Sequence, residues 1–95
     1  MKITRKDIEE YLLELKINPA HKGFVFLLCV LSDVVNKEEQ INWKIMNLYS
    51  RTARKYATSI DAVERAIRYA MNSAGIKVTT KEFCIRAYYF FKYKI

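Results

Sequence analysis

Thr52-Ala53-Arg54-Lys55-Tyr56-Ala57-Thr58-Ser59-Ile60-Asp61-Ala62-Val63-Glu64-Arg65-Ala66-Ile67-Arg68-Tyr69 reads as helix, short turn, helix. Two short helices that cross steeply need small side chains at the crossing and one apolar plug between them. Ala53 and Ala57 supply the small residues and Val63 the plug. The second helix is expected from about Ser59 to Ala74. Its apolar stripe is Ile60, Val63, Ile67, Ala70, Met71 and Ala74, spaced three and four apart. Thr58 is the expected cap, with Asp61 in the first turn where a carboxylate suits the helix dipole. Gly75 ends it, since glycine tolerates the left-handed conformation past a helix end.

This spacing is that of a helix-turn-helix, whose second helix lies in the major groove of DNA. On a helical wheel Asp61, Arg65, Arg68, Tyr69 and Asn72 fall opposite the core stripe, with Ala62 and Glu64 on the flanks. Arg pairs with guanine, Glu accepts from cytosine and Asn serves adenine. Glu64, Arg65 and Asn72 are therefore candidate base readers, and Arg51, Arg54 and Lys55 on the preceding helix candidate phosphate contacts. A competing reading is that Glu64 and Arg68 form an i,i+4 ion pair on an ordinary solvated face.

Charge distribution around this stretch agrees with a polyanion partner. The chain has 95 residues and a net charge of +7. Residues 1–42 hold six basic and seven acidic side chains, whereas residues 43–95 hold eleven basic and three acidic. The excess lies entirely in the second half, and such asymmetry points to nucleic acid. With 52% hydrophobic residues the chain can bury a core and is not a disordered basic tail. Two Gly and one Pro leave few turn signals, which argues against an all-β sandwich or barrel. One domain spanning 1–95 is expected at this length.

The other segments are helical as well. Thr4 and Asp7 form an expected capping box for a helix within 1–17, whose stripe is Ile8, Tyr11, Leu12 and Leu15, with Glu9, Glu10 and Glu14 in water. Asn18-Pro19 is its expected end. Residues 20–35 are apolar nearly all round and suit a central core helix. Residues 36–40 are a polar connection. Ile41 to Tyr56 is helical, with a possible break at residues 47–50, so the helix-turn-helix is placed at 50–74. Thr80 opens a last helix, expected at about 81–91. The fold class is all-α: a compact bundle of about five helices.

At these residues the chain resembles a known family. Val63-Glu64-Arg65-Ala66-Ile67-Arg68, preceded by Leu48-Tyr49, Ala53-Arg54-Lys55-Tyr56 and Thr58, is similar to the C-terminal DNA-binding effector domain of the stage-zero sporulation response regulator. Pro19-Ala20-His21-Lys22-Gly23-Phe24 resembles that domain's Pro-Ala-His-x-Lys-Gly-aromatic segment, one residue shorter here. Thr80-Lys81-Glu82-Phe83 resembles its Asn-Ser-Glu-Phe segment. The similarity spans roughly residues 17–90. It implies an all-α domain that binds duplex DNA in spore-forming, Gram-positive bacteria. Carried over position by position, it keeps Glu64 and Arg65 as base readers and Arg68 as a phosphate contact; Thr58 and Tyr69 are further expected phosphate contacts.

Four departures qualify the resemblance. The family's receiver domain is replaced here by one short helix, so no phosphorylation switch of that type is expected. Its longer, Ser-rich connection before the last helix shrinks to about residues 75–79. Ala62 stands where the family carries an Arg that looks like a base reader, and a methyl cannot make the bidentate guanine contact. Tyr69 stands where the family has His.

Other functions find little support. A lone His21 is read as a helix-start packing residue rather than a ligand, so no metal is expected. No Cys–His neighbourhood, glycine-rich phosphate loop or paired catalytic carboxylates suggest an enzyme, and no cofactor is expected. Cys29 and Cys84 fit no metal or redox spacing and are read as buried free thiols. Trp43 and the Met residues are read as core or core edge. The longest apolar run, Phe24 to Leu31, is eight residues, too short to span a bilayer. A cytoplasmic, nucleoid-associated protein follows. The aromatic tail, Tyr88-Tyr89-Phe90-Phe91-Lys92-Tyr93, is read as a core helix edge, with a protein contact, single-stranded bases and a membrane surface as alternatives. The expectation is a small transcriptional regulator binding double-stranded DNA, as a homodimer or in tandem. The alternative is a degenerate effector-domain copy that modulates a full-length regulator by protein–protein contact.

Overall fold

A computed structural model describes residues 3–36 and 44–93. Among them are five helices and no strand: α1 Arg5–Glu14, α2 Lys22–Asn36, α3 Ile45–Lys55, α4 Ile60–Ser73 and α5 Thr80–Lys92. The polar connection at 37–40, the expected start of the third helix at Ile41, and Trp43 lie outside the described residues.

The apolar second segment occupies the centre. Helix α2 packs against each of the other four helices. Its Phe24, Phe26, Leu27, Leu28, Val30, Leu31 and Val34 are buried. A helix apolar nearly all round has to be surrounded, and here it is. It begins at Lys22 rather than Ala20. Residues 18–21 form a turn, in which the Ala20 N–H donates to Asn18 Oδ1 at 2.9 Å and the His21 N–H to the Asn18 carbonyl at 3.1 Å. An Asn side chain that mimics a backbone turn stabilises this bend.

Helix α1 is capped as expected. Thr4 Oγ1 accepts from the Asp7 N–H at 3.2 Å, and Asp7 Oδ2 accepts from the Thr4 N–H at 3.0 Å. It ends before Asn18-Pro19. Lys16 takes φ +68°, the Ile17 N–H reaches the Leu12 carbonyl and the Lys16 N–H the Leu13 carbonyl. This is a Schellman motif, closed by buried Ile17 next to buried Leu12. Burial of Ile17 thus decides the end before proline has any say. The approach to α1 is held by Asn36 at the end of α2: its Oδ1 accepts from the Ile3 N–H at 2.7 Å and its Nδ2 donates to the Ile3 carbonyl at 2.8 Å.

The expected break at 47–50 does not occur, and α3 runs unbroken through it. Leu48, Tyr49, Thr52 and Ala53 are buried on one face, which outweighs the modest helix propensity of Asn47 and Ser50. The first helix of the pair therefore starts well before residue 50. Helix α5 begins at Thr80, and Thr79 caps it by accepting from the Glu82 N–H at 3.2 Å. Its Phe83, Cys84, Ala87 and Phe91 are buried, the helix packs on α2, and Tyr11 of α1 meets the Phe83 and Phe91 rings.

Candidate nucleic-acid interface

Helices α3 and α4 are joined by residues 56–59. Thr58, expected as the cap of α4, is instead the last residue of a Schellman turn. Its N–H donates to the Ala53 carbonyl at 2.9 Å, while Ala57 adopts φ +54°. The cap is Ser59, whose Oγ accepts from the Ala62 N–H at 3.1 Å. Asp61 then lies in the first turn, where its charge meets the positive end of the helix dipole. Ala53 is buried near the crossing and Val63 is fully buried as the plug. Ala57 is not at the crossing; it is exposed and turns the chain.

Val63, Ile67, Ala70 and Met71 anchor α4 to the core. The crossing with α2 is close because Gly23 presents no side chain to Ala66 and Ala70. A helix fixed this firmly on one side presents the opposite side as a rigid ridge. Asp61, Arg65, Arg68, Tyr69 and Asn72 are exposed there, and Ala62 and Glu64 are half-buried on the flanks. Arg65 and Asn72, seven residues and two turns apart, are both exposed along the ridge.

Two shallow grooves run along this ridge. One is bordered by Arg68, Asn72 and Glu64 of α4 and by Lys77 and Lys81 around the start of α5. Within it Arg68 pairs with Glu64 at 3.2 Å, with both side chains solvent-accessible. Such a pair contributes little stability and exchanges readily, and it is the i,i+4 contact that the competing reading of an ordinary solvated face expects. The second groove lies between α4 and the start of α2, where His21 and Lys22 face Ala62, Arg65 and Tyr69. The His21 ring packs on the Tyr69 ring at 5.0 Å. His21 is therefore a packing residue of the ridge itself, and its buried Nδ1 has no hydrogen-bond partner among the described residues.

The candidate phosphate contacts are distributed unevenly. Arg54, Lys55 and Thr58 are exposed at the turn, beside the N-terminal end of α4. Lys55 lies over the Tyr56 ring at 5.8 Å, and that ring packs on Phe26 of α2 at 5.5 Å. Arg51 is drawn back toward the scaffold, its Nε 3.5 Å from Asp33 of α2. Lys22, Lys77 and Lys81 were not singled out by sequence reasoning. They come from three segments that flank α4 only after folding, and no periodicity marks them.

Cys84 is fully buried, which pushes its thiol up to about 12. Cys29 is only half-buried, contrary to the expectation of two buried thiols; both are free. No cluster of His, Cys, Asp or Glu able to hold a metal occurs among the described residues. No helix among them is long and apolar enough to cross a membrane. Helix α5 carries the tail aromatics: Phe91 is buried, Phe90 and Tyr93 are exposed, and Tyr11 of α1 packs on Phe90 at 4.7 Å and on Phe91 at 5.2 Å.

The family model of the sporulation initiation factor Spo0A C-terminal domain matches residues 8–89. The chain belongs to this family of DNA-binding regulatory domains. No solved structure matches it.

Proposed function

We propose that this member of the Spo0A C-terminal family is a sequence-specific duplex-DNA-binding protein and transcriptional regulator that lays α4 in the major groove. The observation that carries this reading is the rigid, exposed ridge of α4, with Arg65 and Asn72 exposed along it and cations on both sides. The major groove is about 12 Å wide and accepts one α-helix between two phosphate backbones. Arg65, Glu64 and Asn72 read base edges. Arg54, Lys55 and Thr58 meet phosphates near the turn, Arg68 and Tyr69 meet them along α4, and Arg51 joins them by exchanging Asp33 for a phosphate. Lys22 on one flank and Lys77 and Lys81 on the other extend the contact to both strands.

One such domain covers a short site, so specificity requires a dimer or tandem binding on DNA. Selection from a random duplex library, followed by fluorescence anisotropy at several salt concentrations, tests the reading. A preferred sequence is expected, with log affinity falling against log salt by about 0.9 for each phosphate neutralised. Binding without preference at every salt concentration would refute it.

A second reading is favoured by the exposed Phe90 and Tyr93 of α5, since exposed aromatics mark protein interfaces. In that reading the chain binds a full-length regulator of its family through α5. Co-purification with such a regulator, lost in the Phe90→Ser/Tyr93→Ser double variant while DNA binding is absent, would favour it over the first.

A further inference from the structure

We propose that Ala62 makes this chain a reader of thymine: its methyl, with Ala66 and the Tyr69 ring, forms an apolar recess that receives the 5-methyl group of a thymine in the major groove. The proposal rests on the DNA-binding reading and specifies one base pair within it.

Ala62 is the third residue of α4, and the N-terminal residues of a recognition helix are those that approach base edges. Its backbone is fixed, because its N–H is held by Ser59 Oγ at 3.1 Å. Its side chain faces the groove between α4 and the start of α2, which Ala66, Tyr69 and Gly23 also line. The Ala62 and Ala66 side chains and the Tyr69 ring supply its apolar wall, and the Ala66 carbonyl lies against Gly23. Tyr69 is held in place by its 5.0 Å contact with the His21 ring. Polar groups border it on Arg65, Lys22 and the His21 ring, whose Nδ1 is buried.

The chemistry of the base edges then selects the occupant. Guanine, cytosine and adenine present donors and acceptors in the major groove, whereas thymine alone adds a methyl group. A polar edge pressed against the Ala62 methyl gives up water and gains no partner from it, while a thymine methyl there is buried with benefit. Ala62 and Arg65 lie three residues apart on one face, about 4.5 Å along the helix axis at a rise of 1.5 Å per residue. That is close to one base-pair step of about 3.4 Å. The thymine therefore neighbours the base read by Arg65, and Arg65 closes the recess from the solvent side.

The test uses the full chain and the duplex that emerges from selection, with each thymine replaced in turn by deoxyuridine, which removes only the methyl. Loss of one buried methyl is expected to weaken binding about fourfold at a single position, from about 0.8 kcal/mol per buried carbon. That penalty should disappear in Ala62→Gly, whose folding is checked by circular dichroism. Ala62→Arg should shift the preference at the same position from thymine to guanine. A preferred duplex whose uridine substitutions cost nothing, or cost the same in wild type and Ala62→Gly, would overturn the thymine assignment and leave DNA binding intact. Absence of any preferred duplex would overturn both.

Discussion

Gly23 of α2 lies against the carbonyl of Ala66 on α4 with no space for a methyl group between them. A Cβ at Gly23 would sit 2.7 Å from the Ala70 Cβ and 2.8 Å from the Ala66 carbonyl carbon. Neither obstacle can swing aside, since one is backbone and the other a methyl fixed to a helix. Alanine is ordinarily the better helix former by about 1 kcal/mol. Here Gly23→Ala is expected to destabilise the fold by about 1–3 kcal/mol, the usual cost of overpacking. Urea denaturation measures it, and a gain in stability would show that the helices cross with room to spare.

Among the described residues three helices end on a left-handed residue, and the last of these uses glycine: Lys16 at φ +68°, Ala57 at +54° and Gly75 at +79°. A side chain in this region costs about 1–2 kcal/mol. Ala57→Gly should therefore stabilise the protein by about 1 kcal/mol, and Gly75→Ala should destabilise it by a similar amount. Thermal melts of the two variants should move in opposite directions.

The Asn36 side chain forms two hydrogen bonds with the Ile3 backbone, at 2.7 and 2.8 Å. Asn36→Ala removes both and should cost about 1–3 kcal/mol at the usual 0.5–1.5 per bond. Hydrogen exchange at the Ile3 amide should accelerate by more than exchange in α4 does.

Burial holds the Cys84 thiol at about 12, well above its ordinary range. At pH 8 it is therefore almost wholly protonated, and the thiolate is the reactive form. An alkylating reagent at that pH should leave Cys84 unmodified in the native protein and label it only after denaturation, as read by peptide mass. Half-buried Cys29 is the position open to native labelling.

The all-α class and the helix-turn-helix were legible in the sequence because they rest on local periodicity. The 3.6-residue stripe from Ile60 to Met71 marks α4 and names its exposed face at once. What periodicity could not supply were the effects of tertiary burial. Ile17 ends α1 before Pro19, buried Leu48 and Tyr49 carry α3 through a polar stretch, and the turn hands the cap from Thr58 to Ser59. The site divides the same way. Glu64, Arg65 and Asn72 share one helix, so its periodicity alone is enough to propose them as base readers. Lys22, Lys77 and Lys81 flank that helix only through the packing of α2 and α5, so sequence spacing gave no sign of them. Arg51 carries the right charge, but its geometry beside Asp33 belongs to the fold.

The central claim is that Arg65 reads bases while Lys55 holds phosphates. The most direct measurement is the ratio of affinities for a selected duplex and a scrambled one, at fixed salt, in wild type, Arg65→Ala and Lys55→Ala. Arg65→Ala should lower the affinity for the selected duplex by about 1–3 kcal/mol and collapse the ratio. Lys55→Ala should weaken both duplexes alike and leave the ratio intact. Equal, small losses on every duplex from both variants would contradict the assignment of α4 as the recognition helix.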